Sequence, residues 1–245
     1  MRSAQHLIIV VCLPFLLALC VPKLPAQGVS VSAKILMHLE RRPGDAGQRS
    51  VSNAADVVVW LDPLQGTASR LENPPRQVPR LVQKNKQFSP HLLVVPTGTS
   101  VEFPNEDPFF HNVFSLFNGK RFDLGLYESG TSRSVRFDRE GVSYIFCNIH
   151  PAMGAIVLAL KTPYYGISTA DGTVLIRNVP PGSYRLNLWG ERAQPEAPAE
   201  APSVVQVSTT NLNLGELTLQ ETPSPMGKHK NKFGEDYSST PTPRY

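Results

Sequence analysis

Apolar residues alternate with polar ones in short runs along most of the chain, and Gly, Pro, Asn and Asp separate the runs. Such alternation is typical of half-buried strands, because successive side chains of a strand point to opposite faces. Helical periodicity is nearly absent beyond residue 27. The pattern therefore predicts an all-β protein of one or two β-sandwiches. The predicted strands are Val29–Leu39, Asp56–Leu61, Leu81–Phe88, Leu92–Val95, Ser100–Phe103, Val113–Leu116, Ser132–Phe137, Val142–Phe146, Ala155–Leu160, Thr173–Ile176, Ser183–Leu188, Val204–Val207 and Leu212–Leu219.

The first residues depart from this pattern. Arg2 precedes an almost uncharged apolar run, Leu7–Val21, and small or turn-prone residues follow it. The run spans about 15 residues, fewer than the ~20 that a membrane-spanning helix needs. Residues 1–26 are therefore predicted to be a signal peptide, which implies a periplasmic or secreted protein with no membrane span in the mature chain. Lipoprotein processing at Cys20 is disfavoured, because Leu19 stands where a small residue is normally required.

Three further segments lack the strand pattern. Residues 63–80 contain several prolines, which cannot donate to a sheet ladder, so this segment is predicted to be a linker. Residues 191–203 form a Pro/Ala/Glu run that we expect to be a loop. Residues 221–245 are polar, Pro-rich and poor in apolar side chains, and we expect them to form a disordered tail.

Charge and motifs exclude several classes of function. The net charge is only +4, and no basic run is interleaved with aromatic residues on a predicted strand, so nucleic acid is not an expected partner. The chain has no Gly-x-Ser-x-Gly elbow, no phosphate-binding loop and no His-Glu-x-x-His run. It also lacks the His-x-His pairs that are common in multicopper oxidases and nitrite reductases. We therefore expect that the protein is not an enzyme.

Cysteine usage points to one residue. Cys12 and Cys20 lie in the predicted signal peptide, which leaves Cys147 as the only thiol of an exported protein. An internal disulfide is then impossible. The open alternatives for Cys147 are a buried small apolar residue, an intermolecular disulfide, a reactive nucleophile and a metal ligand.

A short segment between two predicted strands concentrates metal-binding side chains. Cys147, His150 and Met153 place a thiolate, an imidazole and a thioether within seven residues, and His111 lies 36 residues before the cysteine at the start of another strand. Soft sulfur ligands with imidazole favour copper, whereas structural zinc sites, the main rival, seldom include methionine. The remaining candidates, His38, His91 and His229, have no partner at ligand spacing and are interpreted as structural or surface residues.

The ligand spacing and its surroundings resemble the cupredoxins, the family of blue copper proteins. The Cys-x2-His-x2-Met loop resembles that of the amicyanin type, and the chain is similar to bacterial plastocyanin-like proteins labelled as methylamine-utilisation proteins. Phe88-Ser89-Pro90, the run from Gly98 to Asn105, and His111-Asn112-Val113 resemble the family's approach to its first histidine. The resemblance covers roughly 81–160 and implies a Greek-key β-sandwich, a copper domain at 81–161, with one type 1 Cu(I)/Cu(II) ion.

The resemblance also implies roles for individual residues. His111, Cys147 and His150 would be the strong ligands and Met153 a long axial one. The backbone N–H of Asn112 would tune the metal by donating to the thiolate. A protein redox partner would dock near His150, at an apolar surface that includes Phe109, Phe110, Pro151 and Ala152.

One position departs from the family pattern. The residue four before the cysteine is usually aromatic, but here it is Ser143, and Tyr144 and Phe146 carry aromatic rings on the opposite face of the strand. The four ligands are unaffected. The function implied is transfer of single electrons. The alternatives are a cell-envelope protein that binds or delivers copper without redox cycling, and an adhesion module whose copper site is idle.

The C-terminal third resembles a second family. Residues 166–186 contain Asp171-Gly172 and Pro180-Pro181-Gly182 turns between short strands, as in carboxypeptidase-regulatory, prealbumin-like β-sandwiches. Their opening strands are absent there but present in 27–62, so we expect the copper domain to be inserted into a smaller sandwich formed by 27–62 and 162–220. Trp60 would then share a core with Tyr184 and Leu186. In the competing arrangement, the first two strands extend the copper domain.

Overall fold

The computed structural model describes residues 28–38, 51–64, 77–116, 119–195 and 204–237. Strands make up almost all regular structure in these ranges, which confirms the predicted all-β fold class. The predicted signal peptide lies outside the described residues, and within them we find no helix with the length and apolar character that a membrane crossing requires. The elements are β1 (Val29–His38), β2 (Val51–Ser52), β3 (Val58–Pro63), β4 (Val82–Lys84), β5 (Gln87–Ser89), β6 (Leu92–Pro96), β7 (Thr99–Pro104), β8 (His111–Ser115), β9 (Phe122–Tyr127), β10 (Ser132–Phe137), β11 (Gly141–Phe146), β12 (Gly154–Leu160), β13 (Tyr165–Ile167), β14 (Thr173–Val179), β15 (Gly182–Trp189), β16 (Ala193–Pro195), β17 (Val204–Val207), β18 (Leu212–Glu221) and a 3₁₀ turn (Pro225–Lys228).

Strands β4–β12 form one sandwich, which we call the central sandwich. One sheet has the order β6-β12-β11-β8-β9, and the β10-β7 pair faces it across a core that includes Phe103, Phe137 and Ile145. The predicted strand Leu81–Phe88 is in fact a hairpin, β4-β5. It turns at Asn85 and Lys86, which both have φ 55°, a conformation that favours tight hairpin turns.

The remaining strands, β1–β3 and β13–β18, form the terminal sandwich. Its sheets have the orders β14-β1-β18-β16 and β13-β3-β15-β17, with β2 paired to β1, and they enclose a core that includes Ile35, Leu61 and Tyr184. Strand β1 pairs with β14 and β18, and β3 pairs with β13 and β15. The strands that precede the central sandwich in sequence are thus hydrogen-bonded to those that follow it, which is the pairing that insertion predicts.

The two sandwiches meet through a separate apolar cluster. Val58 of the terminal sandwich packs with Leu158 and Leu160 of β12, and Trp60 and Trp189 are partly buried against them. The expectation for Trp60 is therefore wrong. Because side chains alternate along β3, Val59 and Leu61 face the core that contains Tyr184, whereas Trp60 points towards the central sandwich.

The segment after β18 does not behave as the disordered tail expected for 221–245. Residues 222–237 follow a defined path that includes the 3₁₀ turn and a second turn at Asn231–Gly234. They leave the terminal sandwich and lie against the central one, where hydrogen bonds and ring stacking hold them. Residues 238–245 lie outside the described residues.

Candidate metal centre

Three of the four predicted ligands come together at one end of the central sandwich. His111 is the first residue of β8, and Cys147 directly follows β11, the neighbouring strand in the same sheet. The Cys147 Sγ lies 3.7 Å from the Nδ1 of His111 and 3.7 Å from the Nδ1 of His150, and the two Nδ1 atoms are 3.2 Å apart. Among the described residues, these form the one His/Cys/Asp/Glu cluster with the spacing to hold a metal ion.

The separations fit a single ion among the three atoms. Zinc bonds of about 2.3 Å to sulfur and about 2.0 Å to nitrogen, with an angle near 120°, would place sulfur and nitrogen about 3.7 Å apart. The two nitrogens, 3.2 Å apart, can both reach such an ion at a somewhat smaller angle. His111 and Cys147 are fully buried and His150 partly so, which excludes most water from the cluster. One thiolate and two imidazoles in this arrangement suit copper or zinc.

An acid that the sequence analysis missed holds His111 in place. The Nε2 of His111 donates to the Asp107 carboxylate at 2.8 Å, which leaves Nδ1 directed at the cluster. Asp107 also accepts hydrogen bonds from the backbone N–H groups of Asn85 (2.6 Å) and Lys86 (2.9 Å), in the turn of the β4-β5 hairpin. Burial alone would raise the pKa of Asp107, but these hydrogen bonds outweigh burial and lower the pKa. A carboxylate behind a ligating histidine is a common way to fix its tautomer and ring orientation.

The local sequence before β8 prepares this contact. The side-chain amide of Asn105 donates to the carbonyl of Phe109 at 2.8 Å, and its Oδ1 accepts from the backbone N–H of Asp107 at 3.1 Å. Asn105 is itself buried. It therefore shapes the 105–110 loop so that Asp107 reaches His111. The signal available in the sequence was the Asp-x-x-x-His spacing, which by itself is too common to identify a pair.

The surroundings of Cys147 disfavour the thiolate form when no cation is bound. Burial raises the pKa of the Cys147 thiol, and hydrogen bonds from the backbone N–H groups of Asn112, Ile149 and His150 offset only part of this rise. The donor from Asn112 is the contact that the family resemblance implies. The Asn112 side chain donates to the Asp123 carboxylate at 2.7 Å, so this residue connects the first histidine to β9. A bound metal would replace the thiol proton.

The ligand loop 147–153 closes on itself. The backbone N–H of Met153 donates to the His150 carbonyl at 3.0 Å, and that of Cys147 donates to the Met153 carbonyl at 3.3 Å. The Met153 side chain is completely buried and belongs to the same core cluster as Cys147. Its role as a metal ligand remains a prediction.

Most of the residues predicted to form a docking surface are exposed. Phe110, Pro151 and Ala152 are exposed, as is Ile149, while the ring of Phe109 is inclined against that of His150 with centroids 5.7 Å apart. Burial lowers the pKa of His150, and the nearby His111 and Lys86 lower it further. A neutral imidazole is the form that ligates a metal.

The departure at Ser143 has a local cause. Its buried Oγ accepts a hydrogen bond from the backbone N–H of Lys120 at 2.8 Å. A Cβ added to the preceding residue, Gly119 (φ +91°), would clash with that Oγ at 2.5 Å. The backbone at 119–120 thus occupies the space that an aromatic side chain at position 143 would need.

His229, predicted to be a structural or surface residue, packs close to the site. It stacks on Phe146 with ring centroids 3.9 Å apart and is not part of the His111, Cys147 and His150 cluster. Phe146 immediately precedes Cys147. The sequence holds no local sign of this contact, because the two rings are brought together only by the path of residues 222–237.

No protein-family model and no curated protein matches the chain. Among solved structures, it is similar to a purple cupredoxin from Nitrosopumilus maritimus, with 26% identity over 34% of this chain and 99% of the other, at a TM-score of 0.31. A copper-containing nitrite reductase from Thermus scotoductus SA-01 is 26% identical over 40% of this chain, at a TM-score of 0.33; the chain spans only 25% of it. A methionine-to-glutamine variant of amicyanin in the Cu(I) state is 18% identical over 33% of this chain and 80% of the other, at a TM-score of 0.31. These three similarities cover about a third to two-fifths of this chain.

Proposed function

We propose that the protein binds one copper ion through His111, Cys147 and His150 and transfers single electrons between redox partners. The observation that carries the proposal is the convergence of the Cys147 Sγ and two histidine Nδ1 atoms, with separations of 3.7, 3.7 and 3.2 Å, in a largely buried position. Two imidazoles and one thiolate with a weak axial thioether form the ligand set of electron-transfer copper sites. Met153 is proposed as that axial ligand.

Copper supplies the one-electron couple when it is bound, and the chain supplies a fixed environment for it. Asp107 holds the His111 ring, and the N–H of Asn112 stabilises the negative charge of the Cys147 thiolate. Because the first histidine and the cysteine are placed by adjacent strands of one sheet, these two ligands would change position little between the oxidation states of a bound copper ion. Small rearrangement favours rapid electron transfer.

The proposed route for electrons is the exposed end of the site. His150 is the proposed ligand nearest to solvent. Its chain neighbours Ile149 and Pro151 are exposed, and so is Phe110, which follows the Phe109 ring that packs against His150. Exposed apolar patches with a polar border are typical of surfaces that bind other proteins. A redox protein is proposed to dock here, and no nucleic acid or enzymatic substrate is part of the proposal.

The proposed location is the periplasm or the exterior of the cell. The N-terminal apolar run supports export, and Cys147 then functions as a metal ligand in a compartment where free thiols otherwise tend to oxidise. Metal ligation gives this single thiol a role that needs no disulfide partner.

The test is the absorption spectrum of the copper-loaded protein beside its Cys147→Ser variant. Charge transfer from the thiolate to Cu(II) should give the wild-type protein an intense visible band, and the serine variant should lack it. Tight binding of Cu(II) without any thiolate band would contradict the proposal. Voltammetry then separates electron transfer from delivery: a reversible Cu(II)/Cu(I) couple supports the former, and ready loss of copper to an apo acceptor without such a couple supports the latter.

A further inference from the structure

Residues 222–237, which we call the strap, run from the terminal sandwich to the ligand loop of the central one. At its start, the N–H of Thr222 donates to the Arg192 carbonyl at 2.9 Å, and Ser224 bonds to the side chain of Glu191. The side chain of Met226 then lies against Gly154, where any added Cβ would overlap it. Gly154 directly follows the ligand loop, so the strap reaches the site at the place where the loop ends.

Three hydrogen bonds join the strap to the ligand loop. The phenol of Tyr237 donates to the carbonyl of Cys147 at 2.9 Å. The backbone N–H of Lys232 donates to the Asn148 side chain at 3.0 Å, and the Nε2 of His229 lies 2.9 Å from the carbonyl of Pro151. The strap therefore bonds to three residues of the ligand loop, and one of them is Cys147, the proposed copper ligand.

A turn within the strap places Tyr237 over the site. The side chain of Asn231 accepts from the N–H groups of Phe233 (2.9 Å) and Glu235 (3.0 Å), and Gly234 adopts φ +79°, which reverses the chain. The ring of Tyr237 consequently returns to lie edge-on against His229, with centroids 5.2 Å apart. This geometry directs the phenol oxygen at the Cys147 carbonyl.

The strap also reaches the other ligand-bearing segment. The Lys232 Nζ lies 2.8 Å from one carboxylate oxygen of Asp123, whose other oxygen accepts from the side chain of Asn112 at 2.7 Å. Asn112 follows His111 and directs its backbone N–H at the Cys147 sulfur. Through these contacts, the strap is connected to both segments that carry ligands.

The geometry points to the strap as a component of the metal centre, in which Tyr237 is a positioning residue that holds the backbone of Cys147 in place for copper. The inference rests on the proposed function, since it takes Cys147 as a copper ligand. A segment that only covered apolar surface would need no hydrogen bonds to the loop. By restraining the loop before metal arrives, the strap slows copper release and limits access of reagents to the thiol.

The decisive variant is Tyr237→Phe, which removes the hydrogen bond to the Cys147 carbonyl and the 3.3 Å contact of the phenol oxygen with the Nδ1 of His229, and keeps the ring against His229. Its matched control is Tyr184→Phe, which removes a phenol hydrogen bond of 2.8 Å to the Pro180 carbonyl in the terminal sandwich. Two rates are measured: alkylation of the metal-free protein by N-ethylmaleimide, followed at the Cys147 peptide by mass spectrometry, and transfer of copper from the loaded protein to excess chelator. Thermal unfolding is recorded for each variant.

In Tyr237→Phe both rates should rise about 2- to 10-fold, the change expected when one hydrogen bond is lost. In Tyr184→Phe they should stay at the wild-type value even if the unfolding temperature falls. Unchanged rates in Tyr237→Phe would overturn the inference, and so would faster alkylation with unchanged copper release, which would leave the strap as a cover only. A wild-type protein without a thiolate-copper band would instead overturn the proposed function, and the alkylation rates would still report whether the strap shields Cys147.

A chain ended after Glu221 removes the whole strap and should raise both rates beyond the effect of Tyr237→Phe. If this shortened protein fails to fold, the point variant decides the matter. If it folds and keeps wild-type rates, the strap has no role at the centre.

Discussion

The two histidines of the centre differ in how the fold holds them. His111 is completely buried at the start of a central strand, and Asp107 fixes its second ring nitrogen. His150 lies in a loop, is partly exposed, and is restrained mainly through the backbone of its neighbours. One side of the centre is thus built into the sandwich, whereas the other is a loop held from outside by a segment of a different sandwich. Either kind of support can hold a metal ligand in a fixed position. Substitutions on the two sides of the centre should therefore have different effects on the metal site.

The two sides of the centre should differ most clearly when the imidazole of His111 or of His150 is removed. His111→Gly and His150→Gly should both lose the thiolate-copper band. Added imidazole should restore it in His150→Gly, because the vacated position opens to solvent, and should restore it far less in His111→Gly, where the space is enclosed by the core. Titration with imidazole, followed by visible absorption, checks this. Equal rescue of the two variants would show that burial does not distinguish them.

Replacement of the acid behind His111 should have an intermediate effect. Asp107→Asn keeps the size of the side chain but removes the negative charge of the carboxylate. That carboxylate fixes the His111 imidazole and accepts hydrogen bonds from the N–H groups of Asn85 and Lys86. Loss of such an outer partner typically lowers metal affinity about 10- to 100-fold. Competition with a chelator measures the change. An exposed acid such as Asp138, changed to asparagine, is the control and should leave affinity unaltered.

Of these substitutions, removal of the Met153 thioether from the ligand loop should change copper affinity least. Met153→Leu preserves the buried volume, so the protein should still bind copper, and the reduction potential should rise because the proposed weak ligand, which would stabilise Cu(II), is lost. Voltammetry of the loaded protein provides the measurement. If copper affinity collapsed instead, Met153 would be a principal ligand, and its proposed axial role would be wrong.

The strand pattern and the chemistry of the ligand loop could be predicted from the sequence because both are local. Alternation of side chains located β1, β10 and β11 closely, and the Cys-x2-His-x2-Met spacing brings three candidate donors into one loop whatever the rest of the chain does. The pattern failed where local order is interrupted. The hairpin at Asn85–Lys86 was taken as one continuous strand, and β9, with a glycine in its centre, was missed.

Sequence alone therefore determined the fold class and the set of candidate ligands, since period-two burial and donor spacing within one loop require no long-range information. The tertiary structure alone decided which other residues hold the candidate ligands in place. Asp107 meets His111 because a distant hairpin turn and Asn105 shape the intervening loop. Tyr237 meets Cys147 across 90 residues of sequence because the strap crosses from one sandwich to the other. Such contacts depend on the packing of whole sheets, and no residue pattern within either segment specifies them.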